Sequence, residues 1–423
     1  MKKKLYICAS ILASFLISCD SFLEREPLDK ISKEVYFKTS KDLELYVNQF
    51  YTKFPGFGGF GIGYLGDDRN SDNMVHEDYD VRLAGYKTVS GNASDAGWKW
   101  EDIRSVNYML ANLGNLESSF DESKPYIGEA YFFRSYLYYS LLQNFGDLPW
   151  VNQPYDTESE DLYNPRVSRN IIVDSMLVDL DKAIEYMPEK ANVVDGRLSK
   201  EAALLFKSRV ALFEGSWEKY HNGTDFGVKN ADYNKYFHIA ADAAKQLMDM
   251  NKYALFTTGD PNTAYYQLFN KTDFKDNTEV ILARTYSLVL GLTHRAQNYL
   301  LYRGSRTGLS KELVDDYLCL DGKPTASHPE YSDKNLLSVV KDRDPRLAQT
   351  MWIPGDLRVG IGEKPLYFEK PFIDLTGENN CSTGYQLKKG SDPYCVDTEN
   401  AETGSIVFRY AEALLNYAEA RAE

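Results

Sequence analysis

Cysteine and histidine are scarce in this chain of 423 residues, with five of each. Neither is spaced to hold a metal. No CxxC occurs, and Cys8, Cys19, Cys319, Cys381 and Cys395 are scattered, which argues against a zinc ribbon or a thioredoxin-type pair. His76, His221, His238, His294 and His328 never fall within one helical turn of each other, so there is no HExxH. Positive charge is also short: 48 Lys+Arg stand against 62 Asp+Glu, a net charge of −14. Such a chain repels phosphate backbones, which weighs against nucleic acid and, outside a local basic pocket, against anionic ligands. The GxSxG elbow of many hydrolases is missing. With 62 acids, the spacing of any two carboxylates says nothing about a glycosidase pair. No uncharged run reaches the about 20 residues that a spanning helix needs. Tryptophan is rare, at five, whereas tyrosine reaches 32. Tyrosine combines an apolar face with a hydroxyl, which suits helix interfaces and surfaces for polar, flat-faced ligands alike.

What is present begins with a leader. Lys2, Lys3 and Lys4 precede an apolar run from Leu5 to Ser18, the pattern of a secretory signal over residues 1–18. The run closes in Leu16-Ile17-Ser18-Cys19, which resembles a bacterial lipobox, so Cys19 is expected to be the lipidated N-terminus. Each buried CH₂ contributes about 0.8 kcal/mol, so several acyl chains would anchor the protein to a membrane surface without threading it through. Asp20, Glu24 and Glu26 resemble the export signal of surface lipoproteins.

Helical periodicity dominates residues 19–256, which read as a helical repeat scaffold. Residues 128–143 are apolar on nearly every face, interrupted by Glu129, Arg134 and Gln143, and predict a helix covered on most sides that stops at Asn144-Phe145-Gly146. Helices are predicted over 168–187 with Ser168 as N-cap, over 200–214 with Gly215 as the stop, and over 232–250. Segments 41–53 and 99–117 predict a further pair. Recurring alanines, Ala130 and Ala202 among them, suggest tetratricopeptide-like pairs with a stretched period. The fold class expected is therefore mainly α, with a generic irregular helical bundle as the alternative. Residues 54–98 read as a long loop, and 257–404 as a loop-rich inserted subdomain. Residues 405–423 predict a last helix with an apolar stripe of Val407, Ala411, Leu414 and Ala418. No partner helix follows that stripe, so the sequence reads as C-terminally truncated.

Several of these segments carry a resemblance. WKWEDIRSVNYMLANL (98–113), GEAYFFRSYLYYSLLQNFGDLPWV (128–151), PRVSRNIIVDSMLVDLDKAIEYMP, GRLSKEAALLFKSRVALFEG, LVDDYLCLDGKP, RDPRLAQTMW (343–352) and FRYAEALLNYAEARAE (408–423) follow one another in a set order behind the lipobox. In this the chain resembles the SusD/RagB family of outer-membrane nutrient-uptake lipoproteins. The resemblance implies a helical repeat scaffold that contacts a TonB-dependent outer-membrane transporter, with a loop-rich face that captures an oligosaccharide outside the cell. It implies binding without catalysis. The alternatives are a peptide-binding member of the same uptake system, a glycoside hydrolase, or a structural lid for the transporter.

The binding face is expected where loops 64–98 and 285–303 converge. Trp98, Tyr64, Tyr286 and Tyr302 are the candidate ring platforms, and Asp67, Arg69, Asp72, Asn73 and Arg303 the candidate polar groups. A core role is the alternative for Trp98. DDRNSDN (67–73) offers side-chain oxygens for sugar hydroxyls or, more weakly, for calcium, since the EF-hand glycine and terminal glutamate are absent. GFGGFGIGYLG (56–66) matches GxGxxG twice, but no strand precedes it and no helix follows, so no dinucleotide or other cofactor is expected. Cys381 and Cys395 enclose a short segment, and whether they pair in a disulfide is left open by the third downstream thiol, Cys319.

Overall fold

The computed structural model describes residues 36–423. The signal segment and Cys19 lie outside the described residues. The fold is mainly α, as the periodicity implied. Helices α1 (Ser40–Val47) and α2 (Glu101–Ala111) pack on the long α3 (Phe120–Phe145). From there the helices stack in sequence: α3 on α4 (Arg169–Tyr186), α4 on α5 (Lys200–His221), and α5 on α6 (Tyr233–Asp249).

The start of α3 lies upstream of position 128 for a local reason. Ser119 and Glu122 form a reciprocal capping box that satisfies the first backbone donors. The helix ends at the expected Gly146. Two of its polar interruptions, Glu129 and Arg134, are satisfied inside the core, whereas Gln143 is exposed. Buried Arg134 donates to Asp179 on α4 at 2.6 and 2.7 Å and to Asn107 on α2 at 3.0 Å. Buried Glu129 accepts from Arg197 at 2.7 and 3.0 Å. The first donor of α4 is taken by a distant group: the Arg169 backbone N–H donates to Asp147 at 2.9 Å, and Ser168 makes no side-chain cap.

Gly215 does not stop α5, which runs on to His221. It is a position of close approach, because a Cβ there would meet the Phe237 ring of α6 at 2.9 Å. Helix propensity alone would favour alanine by about 1 kcal/mol, whereas overpacking costs about 1–3 kcal/mol. Gly215→Ala is therefore expected to destabilise by about 1 kcal/mol net, read from urea unfolding. A stabilised variant would show that the Phe237 ring yields freely.

The C-terminal segment divides where a continuous helix was predicted. Ser405–Arg409 is a strand that pairs antiparallel with Val280–Arg284, and only Tyr410–Ala422 is helical. Ile406, Val407 and Phe408 are β-branched or aromatic and fit a half-buried ribbon better than a helix turn. The predicted stripe therefore does not form. The helix instead buries Ala413, Asn416 and Ala420, and it packs on α6. Ile281, Leu282, Val407 and Phe408 join the main helical core through this ribbon.

The region between α6 and the last strand holds short helices and a second core. Its helices are α7 (Ala264–Leu268), α8 (Ala296–Tyr302), α9 (Lys311–Asp316), α10 (Leu336–Val340) and α11 (Pro345–Thr350). Ile62 and Met74, from the early loop, share this second core with Leu300, Leu309, Val314 and Leu347. The 54–98 loop is thus bound to the later region rather than free. Cys319, Cys381 and Cys395 are all free thiols, so no Cys381–Cys395 disulfide forms. Cys381 is buried, where its Sγ donates to the Thr307 carbonyl at 3.3 Å, and the Cys395 Sγ donates to the Asp397 carbonyl at 3.4 Å.

Candidate functional site

The early loop is tied down by strand pairing. Met74–His76 pairs antiparallel with Thr307–Leu309, placing Met74 opposite Leu309 and His76 opposite Thr307. The turn before the second strand is strained, since Ser305 (φ 58°) and Arg306 (φ 55°) are both left-handed and neither is glycine. It is held by the Arg306 backbone, whose N–H donates to Asn380 at 2.8 Å and whose carbonyl accepts from Glu77 at 2.9 Å. This positions the Arg306 guanidinium 3.7 Å from both Glu77 and Asp78.

Between this ribbon, the 3₁₀ turn Gly63–Asn70 and the 77–84 loop lies a cavity of ≈1000 Å³. Arg69 lines it. Its Nε donates to the Thr307 Oγ1 at 2.9 Å, which fixes the guanidinium and leaves its terminal donors available. Gly66 allows this placement, since a Cβ there would lie 2.8 Å from the Arg69 Cζ. His76, Asp67, Asp72 and Asp78 supply the other polar walls. Burial, and then Arg69, hold the His76 imidazole below its usual range, so it is neutral at neutral pH. Its Nδ1 accepts from the Asp78 backbone at 3.1 Å, which leaves the proton on Nε2. Burial, and then Asp68, raise the Asp67 carboxyl. Tyr79 lines the same space and is 68% exposed. It lies beside Tyr86, with ring centroids 6.4 Å apart. The cavity thus offers donors, acceptors and exposed ring faces together.

The predicted residues fall into separate places. Asp67, Arg69 and Asp72 line this cavity. Asn73 joins its floor to α9 through its backbone carbonyl, which accepts from Ser310 at 2.9 Å. Tyr64 and Tyr286 do come together, but in a packed cluster with Phe57 and Ala296. The Tyr286 hydroxyl is committed to the Phe57 backbone at 2.5 and 3.2 Å, so the ring is a packing element. Tyr302 is half-exposed at the end of α8, and Arg303 is held by Asn298 at 2.8 Å and by Glu378 at 3.4 Å. Trp98 lies in a different cavity, edge-on to Phe145 at 4.9 Å and to Trp100 at 5.2 Å. His76, Asp78, Tyr79 and Tyr86 escaped the sequence reading. For the first three the signal was the VHEDYD segment, an acid and aromatic mixture one residue after the DDRNSDN turn. Among the described residues no group of three or more His, Cys, Asp or Glu is gathered for a metal, so the calcium reading of that turn finds no converged ligand set. Among the same residues, no helix is long and apolar enough to cross a membrane.

Fold and site together define a helical-repeat protein with a polar, ring-edged cleft built by its loops. A family model described as "Starch-binding associating with outer membrane" matches residues 22–212, and a model described as "SusD family" matches residues 255–423. The chain belongs to the SusD/RagB family. It is similar to the SusD-like protein P38 of Formosa agariphila, with 27% identity over 223 residues, 51% of this chain and 44% of that protein. The chain spans less than half the length of the curated relatives it matches. Its fold is similar to a crystal structure of a SusD-like carbohydrate binding protein from Bacteroides fragilis, with TM-score 0.70 and 22% identity, covering 91% of this chain and 74% of that one. A second SusD-like protein of Bacteroides fragilis gives TM-score 0.70 at 23% identity, covering 94% of this chain and 78% of that one.

Proposed function

We propose that this protein captures oligosaccharide in the cavity around Arg69, His76 and Tyr79 and delivers it to a TonB-dependent outer-membrane transporter. The observation that carries the reading is the pairing of the exposed Tyr79 ring with fixed donors and acceptors in one cleft. Sugar rings present an apolar face that stacks on aromatics, and their hydroxyls both donate and accept. A neutral imidazole and a carboxylate beside a guanidinium suit that alternation. The family and the carbohydrate-binding neighbour support the same reading, which is one of binding without turnover.

Titration calorimetry against a panel of neutral oligosaccharides tests this. Ring stacking contributes on the order of 1–3 kcal/mol, by analogy with base stacking. Tyr79→Ala is therefore expected to weaken binding about tenfold or more with an unchanged melting temperature, because the ring is exposed. An unchanged affinity in Tyr79→Ala and in Arg69→Gln would remove the glycan from this cavity. Anchoring is tested separately. Cys19→Ala is expected to release the protein from the membrane fraction or leave it unprocessed, and fatty-acid labelling that persists in the variant would refute lipidation there.

A further inference from the structure

A second cavity, of ≈650 Å³, shares no lining residue with the first. It lies between the start of α2 and the 149–166 segment, and its walls include Trp98, Trp100, Val151 and Leu162. Arg166 and Arg104 also line it. The Arg166 guanidinium rests on the Trp98 ring, 4.6 Å from its centroid. Trp98 is itself pinned by Trp100 and Phe145, so it is a fixed backing for the cation. A stacked guanidinium keeps all its N–H groups in its own plane, free for bidentate recognition. Among the described residues neither guanidinium has a hydrogen-bond acceptor or an acidic partner.

Two acids also line the space, but their circumstances differ. Asp161 accepts from Asn164 at 2.9 Å, and Glu101 stands in the first turn of α2, where the helix dipole favours a carboxylate. Trp100 is the N-cap residue of that helix and supplies no side-chain cap. Beside the apolar, aromatic wall the cavity therefore presents two guanidiniums whose donors are taken up by neither acid. We infer that this cavity is a second ligand site, and that it takes a saccharide bearing a carboxylate, a uronic-acid residue held by Arg166 and Arg104 with its ring against the apolar wall. The choice of a sugar rather than another carboxylate rests on the glycan-binding reading above.

Galacturonic acid trisaccharide is the probe, with maltotriose as the neutral control, in calorimetric titration and tryptophan fluorescence at low and high salt. The expected result is saturable binding of the acidic trisaccharide that weakens with salt and is not displaced by maltotriose. Arg166 is exposed, so Arg166→Gln should fold normally and weaken this binding at least tenfold, while Arg69→Gln should leave it unchanged. Absence of saturable binding at millimolar concentration, equal affinity in Arg166→Gln, or loss of binding in Arg69→Gln would overturn the proposal. If neutral glycans bind nowhere while the acidic trisaccharide still binds through Arg166, the reading of the first cavity falls and this one stands.

Discussion

Replacing Arg169 with leucine is expected to destabilise the protein by about 3–5 kcal/mol, the range for an ion pair broken inside a core. Arg169 is fully buried and donates to Glu214 at 3.2, 3.1 and 2.7 Å. Glu218 lies 3.7 Å away and is equally buried. The guanidinium is backed by the Trp217 ring at 4.3 Å. One cation thus serves two carboxylates, and its removal leaves both without a counter-charge in a medium that solvates neither. Part of the loss is also mechanical. Glu218 accepts from the Val228 backbone at 2.8 Å, which fastens the loop between α5 and α6. Urea unfolding of Arg169→Leu measures the cost. Adding Glu214→Leu and Glu218→Gln should restore much of it, because the penalty comes from uncompensated charge more than from lost volume. A loss below about 1 kcal/mol would mean that the carboxylates are already protonated in the native state.

Stability is expected to fall as pH rises from about 5 to 7, the reverse of ordinary acid denaturation. Burial pushes the Glu129 carboxyl up to about 7 from 4.5, only partly offset by Arg197. Burial, and then Glu218 acting against Arg169, raise Glu214 as well. A carboxyl whose folded value lies above its unfolded value binds the proton more tightly when folded. Between the two values the native state therefore holds more protons, and stability declines as pH rises, levelling off above the folded value. For Glu129 the full span corresponds to about 3 kcal/mol. On the acid side, Arg346 holds Asp344 below the usual carboxylate range, and the stability that pair contributes is lost as pH falls through that lowered value. The optimum should therefore lie in mild acid. Urea midpoints at pH 5 and 7.5 test this, and Glu129→Gln should flatten the profile. Arg197 keeps Asn48 at 3.1 Å and Glu44 at 3.6 Å in that variant, so it is not stranded. Identical profiles in the two proteins would show that Glu129 is ionised throughout.

The core helices were legible because their information is local. Apolar spacing at three and four residues placed α4 and α6 to within a residue or two, and the Gly146 exit was read correctly. Errors came where a distant group replaced a local one. Ser168 is the N-cap residue of α4, as its position suggests, but its side chain makes no capping bond, and Asp147, far upstream, accepts from the first backbone N–H. Gly215 looked like a stop, but the Phe237 ring explains it. Ser405–Arg409 looked helical until its partner strand at Val280–Arg284 claimed its backbone donors. In each case the deciding contact is far away in sequence, where no local pattern reports it.

The proposed binding face shows the same division. Composition and charge alone weighed against nucleic acid, and the ordered motifs alone pointed to the family and the class of fold. The two loops are rich in rings and polar groups, and such groups are ambiguous in sequence, since a tyrosine can fill a core or face a ligand. Only tertiary packing separated Tyr286, whose hydroxyl is spent on the Phe57 backbone, from Tyr79, which stays exposed over a cavity. It also separated Trp98 from Arg69 and placed them in two different cavities. Helix-forming pattern is a property of neighbouring residues and is written in the chain. Which side chains share a cleft depends on strand pairing between residues 74–76 and 307–309 and on the strained turn at Ser305 and Arg306, and that long-range closure exists only once the chain has folded.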